Sequence, residues 1–153
     1  MSRFEDADQF TIDMVYQVIN DNMEFNNLVD AKIKVLFDQK KKMSGGRYVL
    51  GRIQKANDLI RTLTANPNDD LADGYDYILY LDLAVWDSID DTDKKRIIFH
   101  ELNHCDVNFD KPNPYGIKDH EINGFYSELE YNKDDTRWLE RLSTVAESLY
   151  NMD

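Results

Sequence analysis

All three histidines of this 153-residue chain lie between positions 100 and 120, and residues 97–104 read Ile-Ile-Phe-His-Glu-Leu-Asn-His. On an α-helix, residues four apart lie on the same face, so His100 and His104 can bind one metal ion while Glu101 lies beside it. Unrelated structural histidines would be scattered along the chain, and these are not. The His-Glu-x-x-His spacing is the signature of zinc hydrolases, and it requires a helix at this point of the fold.

A catalytic zinc site keeps three protein ligands and leaves the fourth position open to water, so another ligand must come from outside this helix. The best candidate is His120, in residues 118–125, Lys-Asp-His-Glu-Ile-Asn-Gly-Phe. Glu121 is the main alternative, since a carboxylate would also complete the site, and Glu128 is a further one. Glu101 would accept a proton from the zinc-activated water, and a peptide carbonyl is the natural target.

The length of the chain suits one domain with a core of its own. We expect residues 1–10 to be flexible and residues 11–153 to form the domain. No stretch approaches the roughly 20 apolar residues of a membrane span, and the amino terminus lacks the apolar core of a signal peptide, so we expect a cytoplasmic protein with no membrane partner. The single cysteine, Cys105, excludes an internal disulfide, and we expect it to pack on the helix rather than bind metal.

The formal net charge of -12 argues against a broad nucleic-acid-binding surface, and we expect no direct nucleic-acid partner. One local exception surrounds the Ser44-Gly45-Gly46 turn. A group of basic residues there could meet an acidic partner, or could form the solvated tip of a hairpin. The group consists of Lys40, Lys41, Lys42, Arg47, Arg52 and Lys55.

The spacing of apolar residues predicts the elements before the histidines. A three-to-four spacing predicts a helix within residues 11–28. Alternating residues predict strands at 31–38 and 47–53, joined as a hairpin by the Gly-Gly turn. A short helix is predicted at 57–63, and the dense apolar run at 75–83 predicts a strand buried on both faces.

The second half of the chain reads mainly as helices. Asp90, Asp91 or Thr92 can cap the helix that carries the histidines. Residues 106–118 contain prolines and glycine and are predicted to be a loop that returns His120 to the metal. His120 is predicted to open a helix whose core-facing residues are Ile122, Phe125, Tyr126 and Leu129. A final amphipathic helix is marked by Trp138, Leu142, Val145 and Leu149, and together these elements indicate an α+β fold.

This order of elements resembles the putative phage metallopeptidases, a family that looks like a small relative of the SprT-like and Spartan zinc proteases. The likeness covers residues 30–140 and is most specific at residues 99–105 and 119–125. It implies a small zincin-like domain in which a short antiparallel or mixed sheet packs against the histidine helix. It also implies that His100, His104 and His120 bind zinc and that Glu101 is the general base.

The chain departs from the family where an Arg-Tyr-Gly element is replaced by Glu130-Tyr131-Asn132. Only Tyr131 matches, and a tyrosine near zinc can donate a hydrogen bond to the oxyanion of a tetrahedral intermediate. Tyr131 is therefore a candidate catalytic residue, although it could equally be an aromatic residue packed against Trp138. Tyr115, in the loop before His120, is a second candidate.

Three functions are compatible with these observations. The first is a zinc-dependent endopeptidase, a phage product that cuts a protein or peptide in the bacterial cytoplasm. The second is a catalytically inactive zinc-binding interaction or inhibitor protein, and the third is an acidic decoy that mimics nucleic acid. Glu101 favours the first, because a purely structural zinc site needs no base beside its metal. The SprT-like relatives act on proteins attached to DNA, but this chain lacks the extra zinc module and strongly basic surface for such a role.

Overall fold

A computed structural model describes residues 2–119 and 124–151 of the chain. Its strands are β1 (Phe4–Asp6), β2 (Ile33–Asp38), β3 (Met43–Ser44), β4 (Arg47–Tyr48), β5 (Gly51–Lys55), β6 (Tyr77–Asp82), β7 (Cys105–Val107) and β8 (Tyr115–Ile117). Its α-helices are α1 (Gln9–Asp21), α2 (Asp58–Thr64), α3 (Leu83–Trp86), α4 (Asp91–Leu102), α5 (Tyr126–Tyr131) and α6 (Trp138–Tyr150). Two 3₁₀ segments, Met23–Leu28 and Pro67–Asp69, complete the described elements. The predicted α+β class is confirmed.

The main sheet has four strands in the order β1-β2-β6-β5. Strand β6 lies parallel to β2, with Ile33 opposite Tyr77, and antiparallel to β5, with Gly51 opposite Leu81. The predicted pairing of β2 with β5 is therefore wrong, because β6 lies between them. The Gly-Gly turn instead closes a small separate hairpin of β3 and β4.

Strand β6 is the centre of the sheet and of the core. Tyr77, Leu79 and Leu81 are completely buried among the core residues, and Ile78 on the opposite side of the strand is also buried. Successive strand residues point to opposite faces, so burial of both sets means that both faces are covered. The prediction of a doubly buried strand in this segment is confirmed.

The amino-terminal part contains a strand and a helix. Strand β1 pairs with β2, and Arg3 binds Asp38 through two hydrogen bonds. Helix α1 is capped by Asp8 and ends at Asp21, and a 3₁₀ segment follows it. The predicted helix therefore occupies only the first part of residues 11–28.

Helix α4 begins as predicted, because the Asp90 side chain accepts a hydrogen bond from the Asp93 backbone N–H. It ends at Leu102, and Cys105 lies in β7 rather than on the helix. Strands β7 and β8 pair with each other where the sequence predicts only a loop. The Tyr77 hydroxyl donates to the Gly116 carbonyl at 2.9 Å and ties this second hairpin to the main sheet.

The final helices are partly as predicted. Phe125 is buried, but Tyr126 and Leu129 are 60% and 59% exposed, so their predicted core positions are wrong. Helix α5 is short, and the face that carries Tyr126 and Leu129 points away from the core. The predicted helix start at His120, and Ile122 with it, lie outside the described residues. Helix α6 is confirmed, with Trp138 and Leu142 buried.

None of the helices in the described ranges has the length and apolar character that crossing a membrane requires.

Candidate metal centre

The end of helix α4 brings His100, Glu101 and His104 together. One side-chain ligand atom from each of these residues lies within 4.8 Å of the other two. His104 lies two residues past Leu102, the last helical residue, and its backbone N–H donates to the Glu101 carbonyl at 3.0 Å. This tight turn keeps the His104 Nε2 atom 4.0 Å from Glu101 Oε1. The three residues form the one group of possible metal ligands found within residues 2–119 and 124–151.

Each histidine is oriented by a hydrogen bond from its Nδ1 atom. Nδ1 of His100 lies 2.8 Å from Glu128 Oε1, and Nδ1 of His104 lies 2.7 Å from the Lys118 carbonyl oxygen. The Lys118 carbonyl oxygen can only accept, so Nδ1 of His104 carries the proton, and the same tautomer in His100 lets its Nδ1 donate to the Glu128 carboxylate. A metal would then be coordinated through Nε2 of each histidine, which is the usual carboxylate–histidine or carbonyl–histidine arrangement of metal sites.

Glu101 is a carboxylate enclosed by the core. The residue is 4% exposed, and its Oε2 atom has no hydrogen-bond partner among the described residues. Gly51 lies close by, and a Cβ there would lie 3.5 Å from Glu101 Cγ. Burial raises the pKa of Glu101 to about 7, with the nearby charge of His100 opposing the rise and that of Glu128 adding to it. A buried carboxylate with an unpaired oxygen fits a base placed beside a metal ion, since such an oxygen needs a proton or a cation nearby.

The pKa values of the two histidines shift in opposite directions. Burial acts to lower the pKa of His100, but the hydrogen bond to Glu128 and the charges of Glu101 and Glu128 outweigh it, so this pKa is raised. Burial lowers the pKa of His104, and the Lys118 carbonyl opposes the shift only in part. A metal ion would compete with a proton at both rings, because only the neutral imidazole binds metal.

Glu128 holds two groups at once. Its Oε1 atom contacts His100 Nδ1 and also accepts the Phe125 backbone N–H at 3.1 Å. It thereby connects the start of α5 to the metal-site helix. Sequence reasoning considered Glu128 only as an alternative third ligand, and it missed this orienting contact. The available signal was the position of Glu128 three residues after Phe125, where an acidic residue commonly caps the start of a helix.

A buried arginine fixes the other end of α5 to α4. Arg96 donates to the Asn132 side-chain carbonyl at 3.1 Å, and its guanidinium binds Asp134 through two hydrogen bonds. Arg96 is also paired with Asp93 on its own helix. Because α5 is held at both ends, the carboxylate of Glu128 has a fixed position relative to His100.

Two neighbouring clefts border the site. The first, of about 200 Å³, is lined by Tyr48, His100 and Glu101, and we call it the His–Glu cleft. The second, of about 290 Å³, is lined by Glu128 and Leu129, and we call it the adjacent cleft. Arg47, Trp138 and Leu139 line both clefts. The clefts therefore share a wall made by strand β4 and the start of α6, which sequence reasoning did not assign to the site.

The two candidate tyrosines lie in packed surroundings. The Tyr131 ring stacks on Phe99 with centroids 3.9 Å apart, and Tyr131 is not among the residues that line the His–Glu cleft. The Tyr115 ring meets Tyr77 edge to face at a centroid distance of 5.7 Å. Tyr48, by contrast, does line the His–Glu cleft.

Cys105 follows His104 directly but is not part of the metal-ligand group. Burial raises the pKa of its thiol to about 12. A thiol must lose its proton to bind metal or to react, so this environment keeps it inert.

His120, which is the predicted third ligand, and its alternative Glu121 lie outside the described residues. The structure brings together the other two predicted ligands and the predicted base.

A mixed α and β fold with a His-Glu-His cluster at a helix end, beside a cleft, defines a candidate metal-dependent protein. Residues 2–150 match the family described as "Putative phage metallopeptidase", and the chain belongs to this family. No curated protein and no solved structure was found to match the chain. The family resemblance predicted from the sequence is confirmed, and membership implies a metal ion and a peptide substrate.

Proposed function

We propose that this protein is a zinc-dependent endopeptidase of the His-Glu-x-x-His type, with a zincin-like arrangement of its site. The observation that carries the proposal is the orientation of the histidines. Both Nδ1 atoms are engaged, by Glu128 and by the Lys118 carbonyl, so both rings would present Nε2 to one ion. Glu101 lies beside them within 4.8 Å.

The donor set supports zinc. Imidazole nitrogens are preferred zinc ligands, and a site with two of them from one helix turn needs one more protein ligand to leave the fourth position open. We propose that His120 is that ligand. When bound, zinc would polarise the peptide carbonyl and lower the pKa of a water molecule to about 7.

Glu101 would perform the proton transfers. Its buried carboxylate has a pKa raised to about 7, which suits a group that accepts a proton and later donates it near neutral pH. In the proposed reaction Glu101 accepts a proton from the attacking water and passes it to the departing amine. His100 is held in place for this step by Glu128, which makes Glu128 a positioning residue. Tyr131 is stacked on Phe99, and we assign it no contact with the substrate.

The test is metal content together with hydrolysis. Elemental analysis of the purified protein should give one zinc per chain. The zinc should be lost in His120→Ala and retained in Glu121→Ala, and the zinc-loaded wild type should cut an unfolded protein substrate. Zinc that survives His120→Ala would reject the three-histidine site. A fully loaded protein that cuts no substrate, across a broad peptide library, would instead favour a zinc-binding interaction protein.

A further inference from the structure

Positive charge is concentrated at the β3–β4 hairpin. Residues 39–57 contain six Lys and Arg and no Asp or Glu, although the whole chain has 18 basic and 30 acidic residues. Four of the six are exposed and lie on or just before the hairpin. We call Lys40, Lys41, Lys42 and Arg47 the basic hairpin.

The basic hairpin is not neutralised within the described part of the protein. None of its four cations lies within 4.0 Å of a carboxylate there, whereas most other basic side chains near the sheet are paired, such as Arg3 with Asp38 and Lys34 with Asp6. The Lys41 ammonium lies 6.0 Å from the ring centroid of Tyr150, and the Val49 backbone N–H donates to the Lys42 carbonyl. These contacts fix the hairpin but leave its charge available to a ligand.

The hairpin also forms one wall of the candidate site. Arg47 lines both the His–Glu cleft and the adjacent cleft. Trp138 and Leu139 line the same two clefts, so a cation and apolar side chains face the same space. A ligand in these clefts would therefore meet positive charge and apolar surface together.

We propose that the basic hairpin is the docking surface for an acidic segment of the substrate protein. Arg47 binds an acidic side chain close to the bond that is cut, and the adjacent cleft takes a large apolar side chain against Trp138 and Leu139. This inference rests on the proposed function, and it adds a substrate class to it. An acidic peptide is attracted to this one surface and repelled by the negative charge of the rest of the protein, which selects its orientation.

An acidic polypeptide fits the site better than a nucleic acid does. The adjacent cleft has apolar side chains in its walls, including Trp138, Leu139 and the exposed Leu129, beside polar ones such as Thr136, and this mixture suits an amino-acid side chain. Nucleic-acid grooves track the phosphate backbone with an extended basic surface. Here the basic hairpin is a small group of four cations on a chain of net charge -12, not an extended basic surface.

The experiment uses two quenched fluorescent peptides that are identical except for Glu or Lys on each side of a central Leu. Cleavage is measured with the zinc-loaded full chain. Binding of labelled copies is measured by anisotropy with zinc-loaded Glu101→Gln, so that docking is read independently of hydrolysis. At low ionic strength the Glu peptide should have a kcat/KM about tenfold above that of the Lys peptide and bind correspondingly more tightly. Added salt should reduce both preferences.

Arg47→Glu should abolish or reverse the preference, in cleavage and in binding. Lys111→Glu is the matched control, because it changes the net charge equally at an exposed position in the β7–β8 loop and should keep the preference. A double variant, Lys40→Glu with Lys42→Glu, provides a second test on exposed residues and should weaken the preference. Circular dichroism checks that each variant is folded.

The outcomes separate the two proposals. Charge-selective binding that Arg47→Glu reverses, without cleavage by wild type, would support the docking surface and reject the peptidase. Binding that is indifferent to peptide charge, unchanged in Arg47→Glu, or absent for the Glu peptide would overturn the docking surface. Cleavage that is indifferent to peptide charge would overturn it as well. Tighter binding of a 20-nucleotide oligothymidine than of the Glu peptide would overturn it in favour of a nucleic-acid surface.

Discussion

At the scale of single residues, Glu101 combines two properties that rarely occur together. Its carboxylate is almost fully buried, and one oxygen has no hydrogen-bond partner among the described residues. An unpaired buried carboxylate costs stability, and such costs are retained where a function depends on them. Burial and the unpaired oxygen therefore support a role for Glu101 in the proposed chemistry, in addition to its position in the motif.

Glu101→Gln should retain zinc and fold like wild type, because the amide has nearly the same shape and is not needed as a ligand. Peptide hydrolysis should fall by about 10²- to 10⁴-fold, which is the usual contribution of a general base. The rate of peptide cleavage and the zinc content, measured on the same samples of both proteins, check this prediction. Unchanged turnover would mean that another group acts as the base.

Glu128→Gln should weaken zinc binding by about 10- to 100-fold, because a metal-ligating histidine loses its carboxylate hydrogen-bond partner. Glu130→Gln is the control on the same helix, since the Glu130 side chain is exposed and pairs with Lys133. Competition with a fluorescent zinc chelator gives both affinities. Equal affinities in the two variants would show that Glu128 does not orient His100.

At the scale of secondary-structure elements, α4 and α6 are joined by an ion pair. Arg141 on α6 donates two hydrogen bonds to Asp93, which is buried on α4. These bonds, opposed by burial, hold the pKa of Asp93 below its usual value. A carboxyl group with a lowered pKa in the folded state stabilises the protein at pH values above its unfolded pKa of about 3.9. That stabilisation is lost as the pH falls through the folded-state pKa.

Arg141→Leu should lower the free energy of unfolding at neutral pH by about 1–2 kcal/mol, since part of the arginine is exposed and solvent screens the pair. The difference from wild type should shrink below about pH 4, and acid unfolding should begin at higher pH in the variant. Urea titrations at several pH values measure this. Arg137→Leu should have little effect, because Arg137 pairs with Glu140 on the surface. A stability difference that is independent of pH would contradict the assignment.

The elements also show what the sequence can specify. Alternating apolar residues predict strands at 31–38 and 47–53, and the observed strands at 33–38, 47–48 and 51–55 overlap them, but alternation carries no information about the partner of each strand. The short connection and the Gly-Gly turn favoured a direct hairpin, and a strand from later in the chain took the central place. In the same way, helical spacing located α5, but it could not show that Tyr126 and Leu129 face outward.

At the scale of the whole molecule, zinc should contribute to stability as well as to chemistry. The ligands would connect α4 to the segment around His120, so the metal would bind the folded chain only. At free zinc about 1,000 times its Kd, binding adds about 4 kcal/mol, which corresponds to a rise in Tm of about 10 °C for a chain of this size. Chelation should reverse the rise in wild type and have no effect on His100→Ala. An equal effect on both proteins would exclude this site as its cause.

The metal-site motif could be predicted from the sequence because its spacing follows directly from helix geometry. The surroundings of the site could not, since they depend on contacts between distant segments. Glu128 contacts His100 although the two residues are 28 positions apart in the sequence. The contact of His104 is with the backbone carbonyl of Lys118, which no residue type can reveal. The wall formed by Arg47 and Trp138 likewise exists only after the hairpin and α6 have packed together.

The parallel pairing of β2 with β6 affects how the chain is made. Strand β2 ends at Asp38, and its central neighbour is complete only at Asp82. During synthesis β2 and β5 therefore cannot pair with β6, and their apolar faces stay uncovered, until the ribosome has released β6. Pairings between residues so far apart slow folding, because the connecting segment must lose entropy before any contact compensates for it. Production of this protein should therefore be sensitive to chaperone supply and to growth temperature, even if the finished fold is stable.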